Sequence, residues 1–282
     1  MRIEKGKPAN SIFLTIRPDF SGLNEIEESV RRMLSEADVH IVEDPLEADV
    51  IIAIGGDGTF LKAVHESSGS VPVIGVKNGT YGTLMELDHE NIADGLRRIV
   101  RGEYFVMIVP SVEAKNLKEK AFNEILLTNQ EKGKSMKVEL YVEGERINSF
   151  IADGIVAATP MGSWAYSLSL NGPILDPRVN AMILAYIAPW PPSSEIPLNP
   201  IVVPEGVEIT ISSDSEMMVV PDGVYRGLTA GEVILSLASE GFMLATLSDD
   251  PRYFYRRIIN RIRKKQSCAI FSLQKIDKKA YG

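Results

Sequence analysis

A carboxylate set among glycines is the first feature of this chain with evident chemistry: Gly55-Gly56-Asp57-Gly58-Thr59 follows the apolar run of residues 49–54. Lacking a Cβ at three of four successive positions, the backbone can come close to a ligand. A helix starting there would turn its positive end toward an anion. Asp57 complicates that reading, since a carboxylate repels phosphate. It makes sense as a base that takes a proton from an attacking hydroxyl, or as part of a metal site. Lys62, about one helical turn further on, offers a compensating positive charge. The plainer alternative is a strand-to-helix turn with Asp57 as its N-cap, although two adjacent glycines exceed what a cap requires. The spacing fits neither Gly-x-Gly-x-x-Gly nor Gly-x-x-x-x-Gly-Lys-Ser/Thr. A second glycine-bearing loop, Lys77-Asn78-Gly79-Thr80-Tyr81-Gly82, follows another apolar run. Two such loops at one edge of a parallel sheet can enclose a polyphosphate.

Placing such a turn requires a strand that ends beside a helix that begins. Hydrophobic spacing over the first hundred residues supplies both. Residues 12–16 read as a buried strand. Asn24 reads as the cap of a helix with apolar positions Ile26, Val30, Met33, Leu34 and Ala37. Further strands are expected over 40–42, 49–54 and 71–76, and helices over 60–66 and 91–100. Strands buried on both faces and alternating with helices predict a parallel sheet covered by helices. From Glu103 the pattern becomes short strand-like segments separated by turns, over 104–109, 124–128, 136–142, 147–158, 207–212, 217–220, 233–237 and 242–246. That grammar predicts an antiparallel β domain. Helical insertions are expected over 163–170 and 178–187, a stiff proline-rich connector over 189–200, and a last helix over 251–265.

A length of 282 residues suits two domains. With 45% hydrophobic and 24% charged residues, a disordered, collagen-like or coiled-coil chain is excluded. The longest apolar stretch, 181–188, falls well short of the roughly 20 residues of a membrane helix, and Pro189 ends it. No basic-then-apolar leader opens the sequence, so a soluble, cytoplasmic protein is expected. One cysteine, Cys268, excludes internal disulfides and cysteine-cluster metal sites, and three scattered histidines exclude the two-histidine zinc motif. The net charge of −8 argues at first against phosphate-bearing partners. From Asp249 onward, however, ten Lys and Arg face three acids, a net of +7, so the remaining chain carries −15. Such a tail reads as a solvated helix face, or as a segment that docks on the acidic body or on nucleic acid.

Gly55-Gly-Asp-Gly-Thr59 resembles the signature shared by NAD kinases, diacylglycerol and sphingosine kinases and, more distantly, phosphofructokinases. Ala121-Phe-Asn123-Glu124 ends on a pair similar to the Asn-Glu of NAD kinases. The most specific likeness is Asp153-Gly-Ile-Val-Ala-Ala-Thr-Pro-Met-Gly-Ser-Trp-Ala-Tyr-Ser-Leu-Ser-Leu-Asn-Gly-Pro-Ile174, which resembles an NAD kinase stretch absent from the lipid kinases. Val219-Val-Pro-Asp222-Gly223 is similar to the family's later Asp-Gly turn.

The resemblance implies an α/β N-terminal domain with a parallel sheet over 1–102 and an antiparallel β-sandwich for NAD binding and oligomerisation over 103–248. The cleft between them would be the site. A helical segment over 249–282 would return to the first domain, which lowers the nucleic-acid reading of the tail further. The implied reaction moves a phosphoryl group from ATP or polyphosphate to the adenosine 2′-hydroxyl of NAD, with Mg²⁺ or another divalent cation. By matched position, Asp57 would be the base, and Gly55, Gly56, Gly58, Thr59 and Lys62 would hold the donor phosphates. Asn123 and Glu124 would bind the adenine and ribose end. Asp153, Ser163, Trp164, Ala165, Tyr166 and Ser169 would hold NAD, with Asp153 supplied by a neighbouring subunit of a homodimer or homotetramer.

These roles fit the side chains. A carboxylate beside an amide can accept ribose O–H groups and read an adenine edge, and a tyrosine can stack on a ring. Plainer readings stand beside them, with Asn123 capping a turn, Tyr166 in a core, Asp153 before Gly154 as turn chemistry, and Ser163, Ser167 and Ser169 capping or decorating a short helix. Four places depart from the family pattern. Met161 and Trp164 stand where small hydroxyl residues are usual, no arginine precedes Asn199-Pro200, and Tyr81-Gly82-Thr83-Leu84 replaces Leu-Gly-Phe-Leu. Two alternatives share the glycine signature: a related kinase with a lipid or nucleoside acceptor, and a non-catalytic nucleotide-binding regulator.

Overall fold

Every residue of the strand Val50–Gly55 is buried, which requires neighbours on both edges and cover on both faces. In the computed structural model, which describes residues 1–17, 23–78, 82–224 and 226–250 together with Arg252 and Tyr255, it has both. Counting β1 as Arg2–Lys5, strand β2 (Ser11–Ile16) and helix α1 (Leu23–Glu36) precede β3 (His40–Ile41) and β4 (Val50–Gly55). Helix α2 (Asp57–Glu66), β5 (Val73–Lys77) and α3 (Ile92–Val100) follow. Strands β3, β2, β4 and β5 lie side by side and parallel, with Ile12 to Ile16 opposite Val50 to Ile54, and Ile51 to Gly55 opposite Val73 to Lys77. Val50, Ile52 and Ile54 face one core with Ile26, Val30 and Leu34 of α1 and Leu96 and Ile99 of α3. Helix α2 packs on β2, β4 and β5.

The second unit is antiparallel. Its strands are β6 (Phe105–Ala114), β7 (Glu119–Ala121), β8 (Glu124–Asn129), β9 (Met136–Val142), β10 (Glu145–Ala152) and β11 (Gly154–Ala158). After the short helix α4 (Tyr166–Ser169) come β12 (Ala181–Ile187), β13 (Ile201–Pro204), β14 (Ile209–Pro221) and β15 (Thr229–Thr246). Strands run in the order β13, β12, β11, β8, β14, β15. Ile125, Leu127, Ile155, Ala157, Met182, Leu184, Val219 and Leu235 form a buried core on one face. On the other face Val156, Ala158, Ile183 and Ala185 lie beneath Leu170 and Leu175. The chain divides into Ile3–Val106 with the described residues from Leu244 onward, and Met1–Arg2 with Met107–Met243. These divisions fall a few residues from positions 102 and 248, and β15 belongs to both units.

Several elements differ from the sequence expectations. Helix α1 already includes Asn24, so that residue does not cap it. Helix α2 starts at Asp57, three residues before Phe60. The strand expected over 147–158 is two strands with Asp153 between them. The helix expected over 178–187 is β12, paired on one edge with β11 and on the other with β13. Its Ala-Met-Ile-Leu-Ala-Tyr-Ile run is apolar at every position, so it carries neither period, and its partners decide its form. The segments at 207–212 and 217–220 join into β14 across an irregularity, and those at 233–237 and 242–246 into β15. β1, β7 and β13 were not anticipated. The helix expected over 251–265, and the return of the tail, lie outside the described residues apart from Arg252 and Tyr255.

Leu127 is fully buried in the β-unit core. Leu127→Ala is expected to cost about 2–5 kcal/mol, seen as a lower urea midpoint with an unchanged slope.

Candidate active site

Strand β4 ends at Gly55, and α2 begins two residues later with Gly56 at its N-cap position. Gly55 has φ +155°, and a Cβ there would overlap Thr59 Oγ1, which is buried against it. Gly56 and Gly58 are a different case. Gly56 has an ordinary extended backbone, and a Cβ on either would meet nothing within 4 Å. No packing contact accounts for glycine at these two positions, and the backbone there is open to close approach. The first N–H groups of a helix lack the usual acceptors; Thr59 N–H turns to Gly56 O at 2.9 Å, which leaves those of Asp57 and Gly58 available to an anion. Gly56 and Gly58 line a cavity of about 260 Å³ together with Ile16, Arg17, Thr59 and Lys62. Lys62 also lies 3.5 Å from Glu66 on the same helix. Arg17 is absent from the sequence-derived site. Its one signal was a cation just past the C-terminal end of an apolar strand, where ligands of parallel sheets bind.

Asp57 is not a cap. It is the first residue of α2, and its carboxylate reaches outward. Oδ1 accepts the Leu84 backbone N–H at 2.9 Å. An ionised carboxylate has about four acceptor sites, so one bond orients the group without exhausting it. Gly82 keeps that approach open, since a Cβ there would lie 2.7 Å from Met85 Cγ and 3.8 Å from Asp57 Oδ1. Of the second glycine loop, Gly79, Thr80 and Tyr81 lie outside the described residues.

In the β unit, one carboxylate organises the residues around Asn123. Asp222 Oδ2 accepts Phe122 N–H at 2.7 Å, and its Oδ1 accepts those of Asn123 at 2.7 Å and Glu124 at 3.2 Å. Asp222 N–H donates in return to Glu124 O at 2.9 Å. The loop is closed from the other side by Thr159, whose N–H donates to Asn123 O at 2.8 Å and whose Oγ1 donates to Phe122 O at 2.7 Å. Thr159 Oγ1 also accepts Gly162 N–H at 2.9 Å. A Cβ at Gly162 would overlap the Asn123 carbonyl oxygen, so only glycine fits there. Thus Asn123, Glu124 and the turn 159–166 come together. Asp222, known from the sequence only as an Asp-Gly turn, holds them.

Within this cluster the groups differ in availability. Ser163 is fully buried, its Oγ donating to Pro160 O at 2.6 Å and accepting Leu175 N–H at 3.1 Å, so its hydroxyl is committed to the turn. Met161 is buried as well, and Trp164 and Ala165 are partly exposed. Tyr166 and Ser169 are exposed, the former by 39%. Glu124 has its Oε2 enclosed without a hydrogen-bond partner. Burial, and secondarily the Asp222 charge, push its carboxyl up to about 7, against the lowering effect of the Tyr166 backbone N–H.

Asp153 stands apart from the others. Gly154 pairs with Thr128 and Ala158 with Glu124, so Asp153 lies beyond the opposite end of the β8–β11 pair, roughly 17 Å from Glu124. There it accepts Ser135 Oγ–H at 2.7 Å and borders a separate cavity of about 270 Å³ with Lys132 and Lys134. Among the described residues no cluster of three His, Cys, Asp or Glu could cage a metal ion. Nor is any helix there long and apolar enough to cross a membrane.

Comparison with known proteins gives a consistent picture. Residues 15–104 match the family model of the ATP-NAD kinase N-terminal domain, and residues 122–239 that of the ATP-NAD kinase C-terminal domain. The chain is 32% identical to an NAD kinase of Methanothermobacter thermautotrophicus over 261 residues, which cover 89% of this chain and 85% of that protein. It is 35% identical to one of Thermococcus sibiricus over 186 residues, or 64% and 66% of the two chains. Its fold is similar to that of an Archaeoglobus fulgidus NAD kinase crystallised with ATP, at a TM-score of 0.73 and 24% identity over 90% of this chain and 99% of that one. A yeast NADH kinase in complex with NADH gives 0.74 at 21% identity, over 89% and 87%.

Two outcomes follow from the cluster. Asp222→Asn sets an N–H donor against one of three buried N–H groups, and is expected to cost about 3 kcal/mol in urea unfolding. Glu124 has a folded-state pKa raised from 4.5 to about 7, so the stability it contributes is full below pH 4.5 and is lost as pH rises to 7. In Glu124→Gln, unfolding free energies compared at pH 5 and 7.5 should lack that decline.

Proposed function

Because the chain belongs to the ATP-NAD kinase family, we propose that it transfers the γ-phosphoryl group of ATP to the adenosine 2′-hydroxyl of NAD, yielding NADP and ADP. The observation that carries this reading is Asp57: a carboxylate oriented by the Leu84 N–H beside glycines that leave room for a ligand. Phosphate binding by itself gains nothing from a negative charge there, so a non-catalytic regulator is disfavoured. The match over 122–239 disfavours a lipid or nucleoside acceptor.

Donor phosphates sit at the start of α2, where the Asp57 and Gly58 N–H groups, Lys62 and Arg17 supply positive potential within an acidic protein. Asn123 and Glu124 accept hydroxyl donors of the adenosine, and Tyr166 stacks on a ring of NAD. As the 2′-oxygen bonds to the γ-phosphorus, its proton passes to Asp57. The bond from that phosphorus to the β–γ bridging oxygen breaks, and ADP leaves with the electron pair. Polyphosphate offers the same terminal group, and the ATP-bound relative supports ATP as donor.

The residues present fit a divalent cation that arrives with the donor, since such ions are held largely by phosphates and one or two carboxylates. Asp57 is the carboxylate placed to share it. When bound, the ion neutralises charge on the donor phosphates. Asp153, distant from Glu124 along its own chain, completes the NAD site of a neighbouring subunit in a homodimer or homotetramer. A single cysteine suits the reducing cytoplasm.

Purified protein supplied with ATP, Mg²⁺ and NAD is expected to form NADP, read in a coupled dehydrogenase assay. Asp57→Asn should lower turnover about 10²–10⁴-fold with the fold intact. NAD left unphosphorylated across several donors would overturn the reading.

A further inference from the structure

The segment that supplies the Leu84 N–H is itself anchored by a buried carboxylate with no part in the reaction. Glu86 is 7% exposed. Its Oε1 accepts Thr246 Oγ1–H at 3.0 Å and Leu247 N–H at 2.8 Å, both at the end of β15. On the other side, the Glu86 and Leu87 N–H groups donate to Gly75 O at 3.0 and 2.9 Å, and Leu87 O accepts Lys77 N–H at 2.7 Å. Met85, between them, fills the space that a side chain at Gly75 would occupy. Residues 85–87 are therefore pinned to β5 on one side and to the end of β15 on the other. The next backbone donor along, Leu84 N–H, is the one bonded to Asp57.

Burying a carboxylate costs free energy that an apolar side chain at this position would avoid. An apolar side chain would fill the space without fixing a register. Charge-assisted bonds to two donors fix the segment along its own axis as well as against its neighbours. We propose that Glu86 is a positioning residue: by tying segment 84–87 to the end of β15 it sets the Leu84 N–H, and through it the orientation of the Asp57 carboxylate. The proposal rests on the reading of Asp57 as the base. A displacement of about 1 Å at such a group can cost up to 10²-fold in rate, so a distant anchor is enough to matter.

The test combines kinetics with amide hydrogen exchange. Glu86→Ala is expected to lower kcat about 10–100-fold, with KM for ATP and NAD changed by less than about 2-fold. It should also speed exchange at the Leu84 amide at least about 10-fold while β4 amides stay protected. Glu86→Gln, which keeps an acceptor oxygen in place, should restore most of both. In an Asp57→Asn background, Glu86→Ala should remove almost nothing further, because its effect runs through that carboxylate. A loss by the same factor in both backgrounds, an unchanged kcat, or unaltered Leu84 exchange would overturn the proposal. Should Glu86→Ala fail to fold, Glu86→Asp and Thr246→Val weaken the same anchor and should give the same pattern at smaller size. If the wild type formed no NADP, the function would fall, while the exchange data would still decide whether Glu86 orders Leu84.

Discussion

The carboxylate of Asp222 takes N–H bonds from Phe122, Asn123 and Glu124 in succession, more than a strand ladder could offer at that turn. The loop from Phe122 to Glu124 depends on this arrangement. Asn123 and Glu124 sit where β8 begins, and their backbone groups would otherwise be buried without partners. With those groups satisfied, Thr159 can close on the same loop, Gly162 can pass against the Asn123 carbonyl, and Tyr166 can point its N–H at Glu124. The charge that organises the loop also helps to raise the Glu124 carboxyl into the neutral range. One buried carboxylate thus sets the geometry of its neighbour and adds to what burial does to that neighbour's proton affinity.

The turn between β4 and α2 works on the opposite principle. There the chain withholds side chains instead of supplying them. No packing contact accounts for glycine at Gly56 and Gly58, and α2 contributes N–H groups that the helix itself cannot satisfy. A carboxylate in such a place would be a liability if it were free to turn toward a phosphate. A bond to a neighbouring loop keeps it in one orientation.

Much of the first unit can be read from sequence, because its helices and strands differ in hydrophobic period and its central strands β4 and β5 are nearly continuous apolar runs. The second unit was less legible wherever a segment carried no period, and β12 is the clear case. Asp153 falls within a stretch with strand-like composition, yet it stands before Gly154, a pairing that also suits a turn, and the chain bends there. Among site residues, the glycine turn and Asn123-Glu124 stand out in sequence by type and spacing. The roles of Asp222 and Glu86 do not, since their partners lie about a hundred residues away or more along the chain. Ser163 has a role that sequence does not show, since its hydroxyl bonds Pro160 and Leu175.

Strand β15 belongs to both units, and its last residues lie beside β5, with Leu244 opposite Val73. The first unit is therefore discontinuous in sequence, its two parts separated by the whole of Met107–Met243. During synthesis the glycine-rich turn before α2 emerges from the ribosome early, yet the strand that completes its sheet and anchors Glu86 emerges only after the entire β unit. The nascent chain must wait with an open sheet edge, which is where other chains can pair. Order of synthesis thus makes the unit that holds Asp57 the last to be finished.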